Sequence, residues 1–162
     1  MHLTKAFRNM QPLNFPTFDF RTRPVGEKEE IFDIVRKRFV ALTPEEWVRQ
    51  HVMHFLNLEK SVPLSHMAVE KKLSINTLTK RADIVVYERS GRALMLVECK
   101  APGVQITQQV FDQAARYDMV FHVNFLLITN GMANYCCRFD YALNTYAFLP
   151  EIPSYPEMIE AL

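Results

Sequence analysis

The sequence predicts an α/β domain in which a mixed β-sheet is flanked by helices in the order α-β-β-β-α-β, behind an extended N-terminal arm. Three observations lead there. Thr43-Pro44-Glu45-Glu46 is a helix start, with Thr as N-cap and Pro at the first helical position. Ala82 to Tyr87 and Ala93 to Cys99 are strand-length segments rich in β-branched and aliphatic residues. Phe125 to Ile128 is wholly apolar and ends in Thr129-Asn130-Gly131, the pattern of a buried central strand followed by a turn. With 162 residues, 49% of them apolar, the chain can build one core. A single domain is expected over residues 1–162, with the arm at 1–30 and the core at 43–131.

The elements follow in order. Residues 1–30 place Pro12, Pro16 and Pro24 among Phe15, Phe18 and Phe20, which suits an irregular or edge-strand arm whose aromatics seek burial. Ile31 to Val40 alternates loosely and reads as a strand whose charged face carries Arg36, Lys37 and Arg38. The first helix runs to about Leu58. Val48, Val52, Phe55 and Glu59 fall on one helical line that extends back to Glu45, so Glu45 is expected to point at the sheet while Glu46 closes a capping box. Met67 to Ile75 is the first of three strands in an antiparallel meander. Thr107 to about Met119 is a second helix, the crossover to the strand at Phe125. Further strands are expected near Cys136 to Phe139 and Thr145 to Phe148.

Several function classes lack support. A formal charge of +1 sets up no strong global field, although a local basic strip can still grip a polyanion. Cys99, Cys136 and Cys137 are odd in number and lack CxxC spacing, which fits a reducing compartment and neither a disulfide framework nor a zinc site. His51 and His54 are three apart, but no third ligand follows at a useful spacing, so they read as surface or core histidines. The P-loop, G-x-G-x-x-G and G-x-S-x-G patterns do not occur. No apolar run has the length of a signal peptide or a membrane span, so the expected location is the cytoplasm, away from membranes.

The candidate chemistry lies between the two best strands. Ser90-Gly91 suits a two-residue hairpin turn, Gly supplying the positive φ, and that register sets Asp83 opposite Glu98. Alternation then projects Lys100 to the same face. Like charges directly opposite one another destabilise a sheet, and a divalent cation would relieve the pair. Two carboxylates offer the hard oxygens that suit Mg²⁺ or Mn²⁺, with Lys100 placed to orient water or stabilise developing charge. The competing reading makes these residues ordinary ion-pair partners, Asp83 with Lys100 or Arg81.

Arg81-Ala82-Asp83-Ile84-Val85-Val86-Tyr87 followed by Leu96-Val97-Glu98-Cys99-Lys100-Ala101-Pro102 resembles the N-terminal nuclease domain of type I restriction enzyme R subunits, within the PD-(D/E)xK superfamily. Gln113-Ala114-Ala115-Arg116-Tyr117 resembles the Q-x-x-x-Y element that follows the catalytic core there and in RecB-like nucleases. Gln113 and Tyr117 are four apart and share a helix face, although Tyr117 equally suits packing against Val110 and Ala114. Glu45, with Arg49 one turn on, resembles the family's first-helix acidic position. The likeness spans about residues 43–131. It departs from the family where Ala82 replaces the motif's Pro and in lacking helicase motor domains.

The resemblance implies a restriction-endonuclease-like core and a Mg²⁺- or Mn²⁺-dependent endonuclease acting on DNA, linked to restriction or DNA processing. Its site would be Asp83, Glu98, Lys100, Glu45, Gln113 and Tyr117, with Asp83 and Glu98 on the metal. Cutting both strands calls for two active sites, so a homodimer or a separate motor or specificity subunit is an expected partner. The alternative is a catalytically silent nucleic-acid-binding or assembly module of the same fold.

Overall fold

A computed structural model describes residues 9–162. They form a six-stranded mixed sheet, a separate three-stranded sheet and three α-helices. The small sheet is antiparallel: β1 (Thr22–Val25), β2 (Lys28–Asp33) and β3 (Arg38–Ala41). Helix α1 (Pro44–Leu58) follows. The large sheet is built from β4 (Met67–Ile75), β5 (Leu78–Tyr87), β6 (Ala93–Cys99), β7 (Phe125–Thr129), β8 (Asn134–Asp140) and β9 (Thr145–Phe148), hydrogen-bonded in that order. Helix α2 (Gln108–Asp118) crosses from β6 to β7, the one parallel pair, and α3 (Tyr155–Glu160) closes the chain. The expected order α-β-β-β-α-β is therefore present from α1 to β7, as a meander and then a crossover.

Local chemistry explains the well-placed elements. Thr43 Oγ accepts the Glu46 N–H at 3.1 Å and Thr107 Oγ accepts the Val110 N–H at 3.2 Å, so both long helices start at side-chain caps. α1 packs Val48, Val52, Met53 and Leu56 on one face of the sheet against Ile84, Val86, Val97 and Cys99. α2 packs Phe111 and Ala115 on the other face against Val85, Leu96, Leu126 and Ile128. Alternation along β6 thus sends Val97 and Cys99 towards α1 and leaves Glu98 on the α2 side.

Ile31 to Val40 is not one strand. Asp33 Oδ1 accepts the N–H groups of Val35 (2.9 Å) and Arg36 (2.6 Å), and Lys37 takes φ 56°, turning the chain into the β2–β3 hairpin. Of the arm, residues 1–8 lie outside the described residues; in the rest, Phe20 is buried in a third cluster with Ile31 and Trp47, and Phe18 and Leu13 pack half-buried against it. This layer covers the side of α1 that turns away from the sheet, so His51 and His54 are buried among Phe15, Phe18 and Phe20.

Candidate functional site

The β5–β6 turn differs from the two-residue hairpin, yet the register deeper in the ladder is the expected one. The Gly91 N–H bonds to the Glu88 carbonyl at 3.0 Å with Gly91 at φ 90°, and Glu88 N–H bonds to Arg92, so three residues form the loop. A bulge follows: Tyr87 pairs with Ala93 but Val86 with Met95, leaving Leu94 as the extra residue. The two differences cancel. Val85 faces Leu96 and Ile84 faces Val97, one step short of Asp83 and Glu98.

At that step the ladder ends. The Cys99 N–H, which would continue it, donates instead to Asp83 Oδ2 at 2.7 Å, so a side chain holds the two strands where they part. Asp83 Oδ1 accepts from Arg49 Nη2 of α1 at 2.8 Å. Arg49 is itself buried and pairs with Glu46 at 2.7 Å. Arg36 extends the chain of charges, bonding Asp33 (2.8 Å) and Glu46 (2.9 Å), and Gln50 bridges the same two carboxylates. Burial works against the charged guanidinium of Arg49, but Glu46 and Asp83 outweigh it and raise its pKa. Burial likewise opposes ionisation of Asp33, yet hydrogen bonds from Arg36 and Gln50 hold its pKa below the ordinary value.

Glu98 belongs to a second network on the α2 side. Its carboxylate takes the ammonium of Lys80, which also pairs with Asp118 at the end of α2. Asp118 is fully buried, and burial pushes its pKa up to about 6 in spite of Lys80. The same ammonium lies 5.8 Å from the centroid of Tyr117, whose hydroxyl donates to the Thr79 carbonyl at 2.8 Å.

The two acids take different partners in the structure. Asp83 and Glu98 sit at neighbouring strand ends, but one joins the network of α1 and the other that of α2. Neither takes the cation expected from the sequence: Arg81 pairs with Glu70 at 3.0 Å. Lys100 makes no hydrogen bond or ion pair through its ammonium among the described residues; its N–H bonds to the Thr129 carbonyl at 2.8 Å, which carries strand geometry one residue past β6 and keeps Lys100 on the side of Glu98.

The two helix-start acids depart from their expected roles. Glu45 has a side chain 49% exposed and reaches Arg49 only at 3.6 Å, whereas Glu46 turns inward to Arg36, Arg49 and Gln50 and does not close the capping box. Gln113 is exposed on α2, and the Tyr117 hydroxyl bonds to the β5 backbone at Thr79 rather than to Asp83. Cys99 is buried in the α1-side core opposite Glu98, and all three cysteines are free. Sequence reasoning missed Lys80, Asp118, Glu70 and the part of Arg36. Their signal was compositional only: charged residues inside otherwise apolar or strand-forming segments.

Asp83 and Glu98 supply the hard oxygens that Mg²⁺ or Mn²⁺ takes. No group of three or more His, Cys, Asp or Glu side chains among the described residues is arranged to hold a metal. What the α2-side carboxylates do hold is a cation, the ammonium of Lys80. The donor set suits a hard cation by chemistry, and a protein cation stands in that place.

A mixed sheet between two helices, opening at a D…E-x-K strand end, defines this chain as an α/β domain with an acidic strand-end site. The chain belongs to the family of the type I restriction enzyme R protein N terminus (HSDR_N), whose model matches residues 44–153. Among solved structures it is similar to a fragment described as an HsdR subunit of a type I restriction enzyme from Vibrio vulnificus YJ016, at 20% identity and a TM-score of 0.51. That match covers 74% of this chain and 25% of the Vibrio chain, so this chain spans about a quarter of it. Comparison with curated proteins gives no significant match. No helix among the described residues is long and apolar enough to cross a membrane.

Proposed function

We propose that this chain is a Mg²⁺- or Mn²⁺-dependent hydrolase of DNA phosphodiester bonds with a PD-(D/E)xK, restriction-endonuclease-like core, working in restriction or DNA processing. The observation that carries this reading is Lys100, whose ammonium has no ion-pair or hydrogen-bond partner among the described residues and which alternation puts on the face of Glu98, at the strand end that Asp83 opens. A divalent ion bound there by Asp83 and Glu98 would polarise the scissile phosphate and lower the pKa of its water. Lys100 is free to bind a phosphate oxygen or hold the attacking water. Asp83, by accepting the Cys99 N–H, holds the two strands at the point where they part.

DNA as substrate has its own support in the β4–β5 hairpin. Lys72 and Arg81 are directly paired across the strands, both exposed, and Lys71, the preceding residue, is exposed on the other face of the hairpin. Like charges at a cross-strand pair cost stability, which Glu70 offsets in part at Arg81 and which backbone phosphates would relieve further. Cutting a duplex on both strands would draw on a second copy or on a motor or specificity subunit.

A second reading, a nucleic-acid-binding or assembly module that does not cut, is favoured by one observation: Arg49 and Lys80 already neutralise the two acids. The purified chain is incubated with supercoiled, linear and single-stranded DNA and Mg²⁺ or Mn²⁺. Cleavage by the natural sequence, lowered about 100-fold or more by Asp83→Ala or Lys100→Ala, is expected, in line with the loss of electrostatic stabilisation at a reacting centre. Cleavage unchanged in both variants would sink the hydrolase reading, and binding without cleavage in the natural sequence establishes the second.

A further inference from the structure

We infer that Asp118 is a carboxylate partner of Glu98 in a divalent-cation site, and that the ammonium of Lys80 is the built-in cation which the divalent ion displaces. The inference rests on the hydrolase reading for the presence of the ion and adds to it a residue that lies outside the D…E-x-K and Q-x-x-x-Y patterns.

Three observations carry it. First, the geometry is already that of a cation site: Lys80 is held from two elements at once, by Glu98 of β6 and by Asp118 of α2. Second, Asp118 is fully buried, and while its Oδ1 pairs with Lys80 its Oδ2 has no hydrogen-bond partner among the described residues. An acceptor buried without a donor is costly, and native folds retain one where an ion or a function accounts for it. Third, the charges do not balance. Two carboxylates enclose one ammonium, all three largely buried, with side-chain exposures of 17% for Glu98, 0% for Asp118 and 11% for Lys80. Replacing the single positive charge by a divalent ion closes the balance and supplies a partner for the free oxygen. Two carboxylates, with water and a substrate phosphate, are the ligand set Mg²⁺ ordinarily accepts.

The end of α2 is held for this purpose. Tyr117 bonds to the Thr79 carbonyl, next to Lys80 on β5, which fixes the helix end that presents Asp118. The Tyr117 ring lies 5.8 Å from the Lys80 ammonium, close enough for its face to support the cation.

The test is Mn²⁺ binding by calorimetry without DNA. Lys80→Met should bind Mn²⁺ at least tenfold more tightly than the natural sequence, and adding Asp118→Asn should remove that gain. A Lys80→Met variant with no gain, or a gain that survives Asp118→Asn, overturns the inference. Because Lys80→Met leaves buried carboxylates unpaired and can unfold the chain, the natural sequence is also titrated with Mn²⁺ by ¹H–¹⁵N NMR. Early paramagnetic broadening at Lys80, Glu98 and Asp118 supports the site, and sharp signals there overturn it. The hydrolase reading fails separately, by absence of DNA cleavage in the natural sequence.

Discussion

His51 is kept neutral by the fold. Its Nδ1 lies 2.8 Å from the Trp47 carbonyl and its ring sits among Phe15, Phe18, Phe20 and Trp47, so burial lowers its pKa to about 4 against that hydrogen bond. An unfolded chain, with an ordinary histidine pKa near 6.5, binds the proton that the folded chain refuses between those values. Stability from this residue is therefore complete above that window and falls as pH drops through it, by about 2 to 3 kcal/mol at pH ~4.5. His54 shifts in the same direction, and Asp118, with its raised pKa, works in the opposite one. His51→Gln isolates the contribution: urea unfolding at pH ~7 and ~4.5 should show a smaller acid loss than in the natural sequence, and equal losses would refute the assignment. At this scale the sequence was partly legible. Asp83, Glu98 and Lys100 stand out as a spacing, but Arg49 and Asp83 are 34 residues apart and Lys80 and Asp118 are 38 apart. No local pattern links such pairs, so the counter-ions that decide the site's charge were invisible.

Elements were legible where their ends carry local chemistry. Thr43 and Thr107 fix helix starts within hydrogen-bond reach, and runs of β-branched and aliphatic residues fix β5 and β6. The β2–β3 hairpin was not, because Asp33, Arg36 and Lys37 make a turn without the glycine that usually marks one. α3 also escaped notice, although Ser154 and Glu157 form a capping box, since only Met158 of its residues is buried. The choice of Glu45 over Glu46 failed for a related reason: one stripe implies one buried face, whereas α1 is covered on both sides. The β4–β5 hairpin yields a prediction at this scale. If Lys71 and Lys72 meet phosphates, Lys71→Gln with Lys72→Gln should weaken DNA binding and make the slope of log K against log salt shallower by about 1 to 2, as each lost contact releases about one fewer counterion. Fluorescence anisotropy over a salt series reads this, and an unchanged slope would remove the hairpin from the interface.

At the scale of the whole molecule, the matched family region begins at α1, and the described residues before it bind that region together. Asn14 N–H bonds to the Gly131 carbonyl at 2.8 Å, its side chain to the Met132 carbonyl at 2.7 Å, and Trp47 Nε1 to the Gln11 carbonyl at 3.0 Å. The arm thus straps α1 to the β7–β8 turn, and Leu13 closes over Gly131 so tightly that a Cβ there would lie 2.8 Å from Leu13 Cδ2. Gly131 also holds φ 81°, a conformation that disfavours any residue with a side chain. Gly131→Ala therefore carries two separable costs, backbone strain of about 1 to 2 kcal/mol and the collision with the arm. Leu13→Ala removes the second and leaves the first. A double-mutant cycle by denaturant unfolding should show Gly131→Ala costing less in the Leu13→Ala background, with a coupling of about 1 kcal/mol or more. Additive costs would mean that the arm does not rest on this turn in solution, and the covering of α1 that buries His51 would need another cause.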